Sequence, residues 1–169
     1  MPRLSAGIVL YRSISAYPEV LLGHMGGPFW ERKDVGAWTI PKGEYEAGDD
    51  PFTAACREFE EEIGWRVPAT VFVDLGEIRQ SGGKVVRAWA AEGDLDPTIA
   101  VSNGFEMEWP PRSGTMQTFP ELDRVAWFDV PSAVVKIVSG QRDLLDRLVT
   151  VLERSNDVDA EPCDTPVRE

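Results

Sequence analysis

Cysteine is nearly absent from this chain: Cys56 and Cys163 are the only thiols in 169 residues. That scarcity excludes a disulfide framework, and it fits a reduced, cytoplasmic setting better than an oxidising one. Cations are also in short supply, with Lys+Arg 17 against Asp+Glu 29 and a formal charge of −12. A surface of that sign repels duplex DNA and anionic membranes, so neither is expected as a partner. Long apolar runs are missing as well. No stretch approaches the ~18 residues needed to span a bilayer, and the apolar run in MPRLSAGIVLYR is too short for a signal sequence and reads as a strand. Histidine occurs once, at His24, just after a predicted strand, where a structural role outweighs a catalytic one.

What remains is an ordinary globular composition, 43% hydrophobic and 27% charged, in a chain of single-domain length that can bury a core without cross-links. Residues 1–154 are expected to form that domain. The acidic stretch 155–169, which has no apolar periodicity, is expected to be a flexible tail. There is no internal repeat.

The most informative stretch is 43–65, GEYEAGDDPFTAACREFEEEIGW. Asp50 is a predicted N-cap, Pro51 suits the first helical position and Gly64 suits the residue just past the end. At about 100° per residue, Phe52, Ala55, Cys56, Phe59 and Ile63 make an apolar stripe that should face the core. Glu58, Glu61 and Glu62 then gather on a second face, roughly 120° away. Like charges at i, i+3 and i+4 repel by a few tenths of a kcal/mol per pair. A divalent cation offsets that repulsion, and the hard oxygen donors suit Mg²⁺ or Mn²⁺. Arg57, one turn before Glu61, can hold it through an i, i+4 pair and leave Glu58 and Glu62 to ligate.

Gly43 followed by Arg57-Glu58-Phe59-Glu60-Glu61-Glu62-Ile63-Gly64-Trp65 resembles the signature of the Nudix hydrolases. One position departs, since Asp49 stands where that family has glutamate. The shorter side chain touches a loop-stabilising role more than the main metal site. AWTI followed by Pro41-Lys42-Gly43 is similar to the tryptophan strand and P-K-G that precede the signature in that family.

Taken in order, Ser5–Tyr11 and Glu19–Gly23 are predicted to pair as a hairpin. A loop over 26–35 carries Phe29 and Trp30, which can stack on a base, and Arg32 and Lys33, which can meet phosphate. Ala37–Ile40 is a short strand, with Lys42 after it as a point charge for phosphate. Val71–Gln80 and Lys84–Glu92 form an antiparallel pair around a Ser-Gly-Gly turn. Lys84, at its base, is a further cationic candidate. Asp94–Phe119 is long and irregular and reads as a packed functional loop, with a brief alternating strand over Phe105–Trp109 that puts Glu106 and Glu108 on one side. Glu121–Val130 resembles the closing Nudix strand. Helices over 132–138 and 141–154 end the domain, the second with a stripe of Leu144, Leu145, Leu148, Val149 and Leu152.

The resemblance implies an α/β fold, a Nudix-type α/β/α sandwich with a mixed central sheet. It implies metal-dependent hydrolysis of a phosphoanhydride in a nucleoside diphosphate linked to another moiety, with dinucleoside polyphosphates as the first substrate class. ADP-ribose, modified nucleoside triphosphates and a non-catalytic nucleotide-sensing module are the alternatives. Glu58, Glu61 and Glu62 are the expected metal ligands, with a backbone carbonyl from Gly43 and with Arg57 orienting the carboxylates. The general base is Glu121, Glu106, Glu108 or a glutamate of the signature. A small nucleotide or polyphosphate is the expected partner, and the family also makes a homodimer an expectation.

Overall fold

The computed structural model describes residues 1–158. Strands β1 (Leu4–Arg12), β2 (Glu19–Met25), β3 (Trp38–Thr39) and β4 (Lys42–Glu44) lead into helix α1 (Pro51–Ile63). Then come β5 (Phe72–Arg79), β6 (Val85–Glu92), a hairpin of β7 (Gly104–Glu108) and β8 (Met116–Pro120), β9 (Leu122–Asp129), α2 (Val130–Lys136) and α3 (Arg142–Val158). The main sheet runs β3-β2-β1-β6-β5, with β4 beside β1 and β9 beside β2. Only β1 and β6 are parallel; the other pairs in this sheet are antiparallel. This is the expected mixed α/β architecture.

Strand alternation supplies the two faces. Ala6, Ile8 and Leu10 of β1 point with Trp89 and Ala91 of β6 toward Ala55, Phe59 and Ile63 of α1. Val9, Val86, Ala88 and Ala90 point the other way, toward Ala133 and Ile137 and the Leu144, Leu145 and Leu148 stripe of α3. Each helix layer thus covers one side of the sheet.

The predicted β1–β2 hairpin holds only at its turn end, where Tyr11 faces Val20 and Arg12 faces Glu19. Beyond that point the strands part. β1 takes β4 as neighbour, with Ala6 opposite Gly43 and Gly7 opposite Lys42, while β2 takes β3. Segment 38–44 therefore wedges into the gap, and the Pro41 carbonyl accepts from Ile8 N at 3.1 Å. A Cβ on Gly7 would come within 2.6 Å of that carbonyl oxygen, so glycine is needed for the approach. The wedge carries Lys42 and Gly43 into the sheet.

Several boundaries differ from expectation. The AWTI strand shortens to Trp38–Thr39, because Pro41 has no N–H for a ladder. Residues 94–119 contain a 3₁₀ turn at Pro97–Ile99 and the β7–β8 hairpin in place of an irregular loop. Helix α2 starts at Val130, with Pro131 in its first turn and Asp129 as N-cap. Helix α3 runs through Val158, so residues 155–158 are helical and not part of a tail. The rest of that expected tail, with Cys163, lies outside the described residues.

Candidate active site

Helix α1 forms where the sequence signals place it. The Asp50 side chain accepts from Thr53 N at 2.9 Å, and Gly64 closes the C-terminus in the left-handed region at φ 81° while donating to the Glu60 carbonyl. Asn103 N and Val101 N cap the carbonyls of Glu61 and Ile63 at 3.0 and 2.9 Å. The loop before β7 is thereby bound to the end of the helix.

The glutamates of α1 do not share one environment. Glu61 is half exposed, Glu58 keeps 13% of its side-chain surface, and Glu62 is buried at 5%. Glu62 follows Phe59 by three residues, which turns it onto the edge of the core stripe. Arg57 reaches Glu58 at 3.1 Å and Glu61 at 3.8 Å, leaving Glu62 out of its grasp. Glu62 instead accepts from Lys42 N at 3.0 Å.

Glu121, between β8 and β9, faces Glu62 within hydrogen-bonding reach and lies near Glu58 and Lys42. Burial, chiefly, pushes the Glu62 carboxyl up to about 8, and Glu121 adds to the rise while Lys42 opposes it. Burial also raises Glu58. Lys42 is held below its ordinary value by burial and by repulsion from Lys84. The backbone fixes Glu121 from two sides: its N–H donates to the Asn103 carbonyl at 2.9 Å, and its carbonyl accepts from Gly26 N at 2.8 Å. Since Asn103 is itself tied to the Glu61 carbonyl, helix and strand hold their carboxylates in one frame.

Glu106 and Glu108 stand on the β7–β8 hairpin, both exposed, and Glu108 accepts from Gly114 N within its own hairpin. Lys84 sits 3.4 Å from Glu44, which Arg3 also engages. Arg3 and Lys84 thus meet on one carboxylate. Arg3 escaped the sequence reading because only the β1–β4 register, Ser5 opposite Glu44, brings it there.

Trp30 packs on the α2–α3 side of the sheet, with Lys33 Nζ 5.0 Å above its ring. The sheet therefore separates its ring from α1. Arg32 is exposed and has no ion pair among the described residues. His24 is fully buried. Its Nδ1 meets Asp123 at 2.8 Å and its Nε2 meets the Lys33 carbonyl at 2.6 Å. It braces the loop after β2, a structural task.

The donor set here is carboxylate and carbonyl oxygen, which suits hard cations. A Cβ on Gly43 would lie 1.8 Å from Glu58 Oε2, so the Glu58 carboxylate rests directly against the Gly43 backbone. Among the described residues no three acidic, histidine or cysteine side chains form a ready-made cage. Mg²⁺ does not demand one, since it keeps waters and binds through one or two carboxylates plus substrate phosphate.

Carboxylates and lysines meeting around a wedge of backbone suit hydrolysis of a pyrophosphate bond by water, and they define a class of hydrolase. The chain belongs to the Nudix family, for the NUDIX domain matches residues 1–148. It is 30% identical over 154 residues to the RNA pyrophosphohydrolase of Rhodospirillum rubrum, covering 89% of this chain and 92% of that protein. It is also 36% identical over 113 residues to an octanoyltransferase of Myxococcus xanthus. That match takes in 66% of this chain, which spans only 28% of that longer relative. Among solved structures, a binary complex of the C. elegans Ap4A hydrolase superposes with a TM-score of 0.62 at 23% identity, covering 89% of this chain and 98% of that one.

Proposed function

We propose that this protein hydrolyses a phosphoanhydride within a 5′-polyphosphate attached to a nucleoside, using Mg²⁺ or Mn²⁺. The observation that carries this reading is the buried Glu62, which accepts from Lys42 N and faces Glu121, with the Glu58 carboxylate resting against the adjoining Gly43 backbone. Carboxylates desolvated at such a place are costly to ionise, and a cation together with an anionic substrate relieves that cost.

Glu58, Glu61, Glu62 and the Gly43 carbonyl are the groups that would hold the cation. When bound, it supplies charge neutralisation at the phosphates and a more acidic water. The chain's own residues do the rest. Arg57 fixes Glu58 and Glu61, whereas Lys42 and Lys84 offer positive charge to the polyphosphate. Glu121 is the base. Set beside Glu62, it would accept the proton of the attacking water.

Dinucleoside polyphosphates are the first substrate class in this reading. The 5′-triphosphorylated end of an RNA is the second, favoured by the relative in Rhodospirillum rubrum that matches nearly end to end. Both present the same chemistry, several phosphates on a ribose 5′ oxygen. A chain of −12 net charge would engage only the end of an RNA and not its length. No described helix is long and apolar enough to cross a membrane. One catalytic domain, a cytoplasmic location and a homodimer complete the reading.

The test is release of phosphate and nucleotide from diadenosine polyphosphates, triphosphorylated RNA, ADP-ribose and nucleoside triphosphates, with and without Mg²⁺. Cation-dependent cleavage of one class supports the hydrolase and names its substrate. Nucleotide binding with no cleavage of any member would replace it with a sensor.

A further inference from the structure

Between the loop after β2 and the β7–β8 hairpin lies a cleft of 260 Å³, lined by Pro28, Glu31, Trp109, Gln117, Phe119 and Asp123 among others. Small-molecule sites usually exceed about 300 Å³. The cleft thus has room for a base and not for a whole nucleotide. Gly27 and Pro120 form part of its wall and flank Gly26 and Glu121, which share a backbone hydrogen bond of 2.8 Å, so the cleft adjoins the backbone that carries Glu121.

The aromatic groups are arranged and not merely exposed. Phe29 is 58% exposed, and its ring meets Trp109 edge to face, with centroids 5.5 Å apart at 80°. This pair joins two elements that are far apart in sequence. Gln117 Nε2 donates to the Trp109 carbonyl at 2.9 Å and steadies that residue. Phe119 is backed by Phe105 at 6.1 Å.

The polar wall has one sign. Asp123 is held through Oδ1 by the buried His24, 2.8 Å away, which leaves its second oxygen free to accept. Glu31 has no hydrogen bond or ion pair among the described residues. A ligand that fills this cleft must therefore present an aromatic face and an edge of N–H donors. Guanine does so, because its N1–H and exocyclic amine lie side by side and match one carboxylate in two parallel bonds. Adenine offers one such group, and hypoxanthine lacks the exocyclic amine.

We propose that this cleft is the base site of the substrate nucleotide, with the base stacked on Trp109, which Phe29 backs edge to face, and guanine selected by Glu31 and Asp123. The proposal rests on the hydrolase reading for its ligand. Trp109, not Trp30, is then the stacking tryptophan.

Calorimetric titration without metal tests it, using GMP, IMP, AMP and ribose 5-phosphate against the wild type, Phe29→Ala, Trp109→Ala and Trp109→Phe. GMP should bind at least about fivefold tighter than IMP or AMP, as expected for one lost hydrogen bond of about 1 kcal/mol. Ribose 5-phosphate should bind more weakly than all three. Trp109→Ala should weaken GMP between about fivefold and a hundredfold, the range of base stacking on an aromatic. Trp109→Phe should restore most of the loss. Phe29 is exposed, so Phe29→Ala folds even if a hairpin variant does not, and it too should weaken GMP. The cleft is overturned if the wild type shows no GMP binding, if GMP, IMP and ribose 5-phosphate bind alike, or if neither alanine variant changes the GMP affinity. Tighter AMP binding would overturn guanine. Cation-dependent cleavage with no base preference would leave the hydrolase standing and remove the cleft, whereas selective GMP binding with no cleavage would do the reverse.

Discussion

Glu62 and Glu121 face each other within hydrogen-bonding reach, one from the end of a helix and one from the bend between β8 and β9, 59 positions later. Burial makes the charged form of Glu62 costly, a cost that a proton on Glu62 or a bound cation would relieve.

In the metal-free protein the pair should make stability fall as pH rises. The folded state lifts Glu62 from its ordinary 4.5 to about 8, so the folded chain keeps a proton that the unfolded chain gives up. That contribution is fully present below pH 4.5 and is lost as pH climbs through about 8. Melting temperature measured in EDTA should drop by roughly several degrees between pH 5 and 8.5. In Glu62→Gln the slope should flatten. An equal slope in both proteins would show that Glu62 does not titrate as its burial implies.

Glu62→Gln should keep the bond from Lys42 N, because an amide oxygen still accepts. Its fold should therefore survive while turnover falls, by roughly a hundredfold or more. Glu121→Gln should lose roughly 10²- to 10⁴-fold in kcat, the span expected for removal of a general base. Retained turnover in Glu121→Gln, alongside loss in Glu106→Gln or Glu108→Gln, would move the base to the hairpin.

Local signals were legible in the sequence and long-range ones were not. Asp50, Pro51 and Gly64 punctuate α1 because caps act within one turn, and the glutamate spacing followed from the same helical period. The placement of Glu121 beside Glu62, apart from Glu106 and Glu108 on the hairpin, depends on its backbone hydrogen bonds with Gly26 and Asn103, partners far off in sequence. The wedge of residues 38–44 between β1 and β2 is invisible for the same reason. Trp30 and Trp109 look alike as exposed-loop aromatics in a string of letters. Only the packed sheet shows that the first lies against the core and the second beside Phe29.

Asp49→Glu, which restores the residue usual in the family, should change the rate by less than about twofold. Asp49 accepts from Glu46 N at 3.2 Å and donates its own N–H to the Glu46 carbonyl at 2.9 Å. The residue therefore closes a tight turn ahead of α1, the kind of task that short acidic side chains perform. Steady-state kinetics would check this, and a tenfold change would place Asp49 in the reaction.

Gly43→Ala is expected to damage activity far more than folding. The new Cβ would lie 1.8 Å from Glu58 Oε2, yet that atom is the end of a flexible side chain and can swing away. Calorimetric Mg²⁺ affinity should fall at least tenfold with little change in melting temperature. Wild-type Mg²⁺ affinity in this variant would remove Glu58 from the metal site.

Gly26→Ala should do the opposite, harming both fold and rate. Its Cβ would meet the Pro120 carbonyl oxygen at 1.8 Å, and backbone paired in the β7–β8 ladder cannot swing aside as a side chain does. The segment must shift, and with it goes Glu121, whose carbonyl accepts from Gly26 N at 2.8 Å. Helix α1 is untouched, so the Mg²⁺ affinity contributed by Glu58 and Glu61 should change much less than kcat. Overpacking of this kind costs roughly 1–3 kcal/mol, or several degrees in melting temperature for a chain of this size. A variant that melts lower, binds Mg²⁺ as before and turns over at least tenfold more slowly would fit a base placed by the Gly26 contact. Unchanged kcat at lowered stability would mean that Glu121 is not the base.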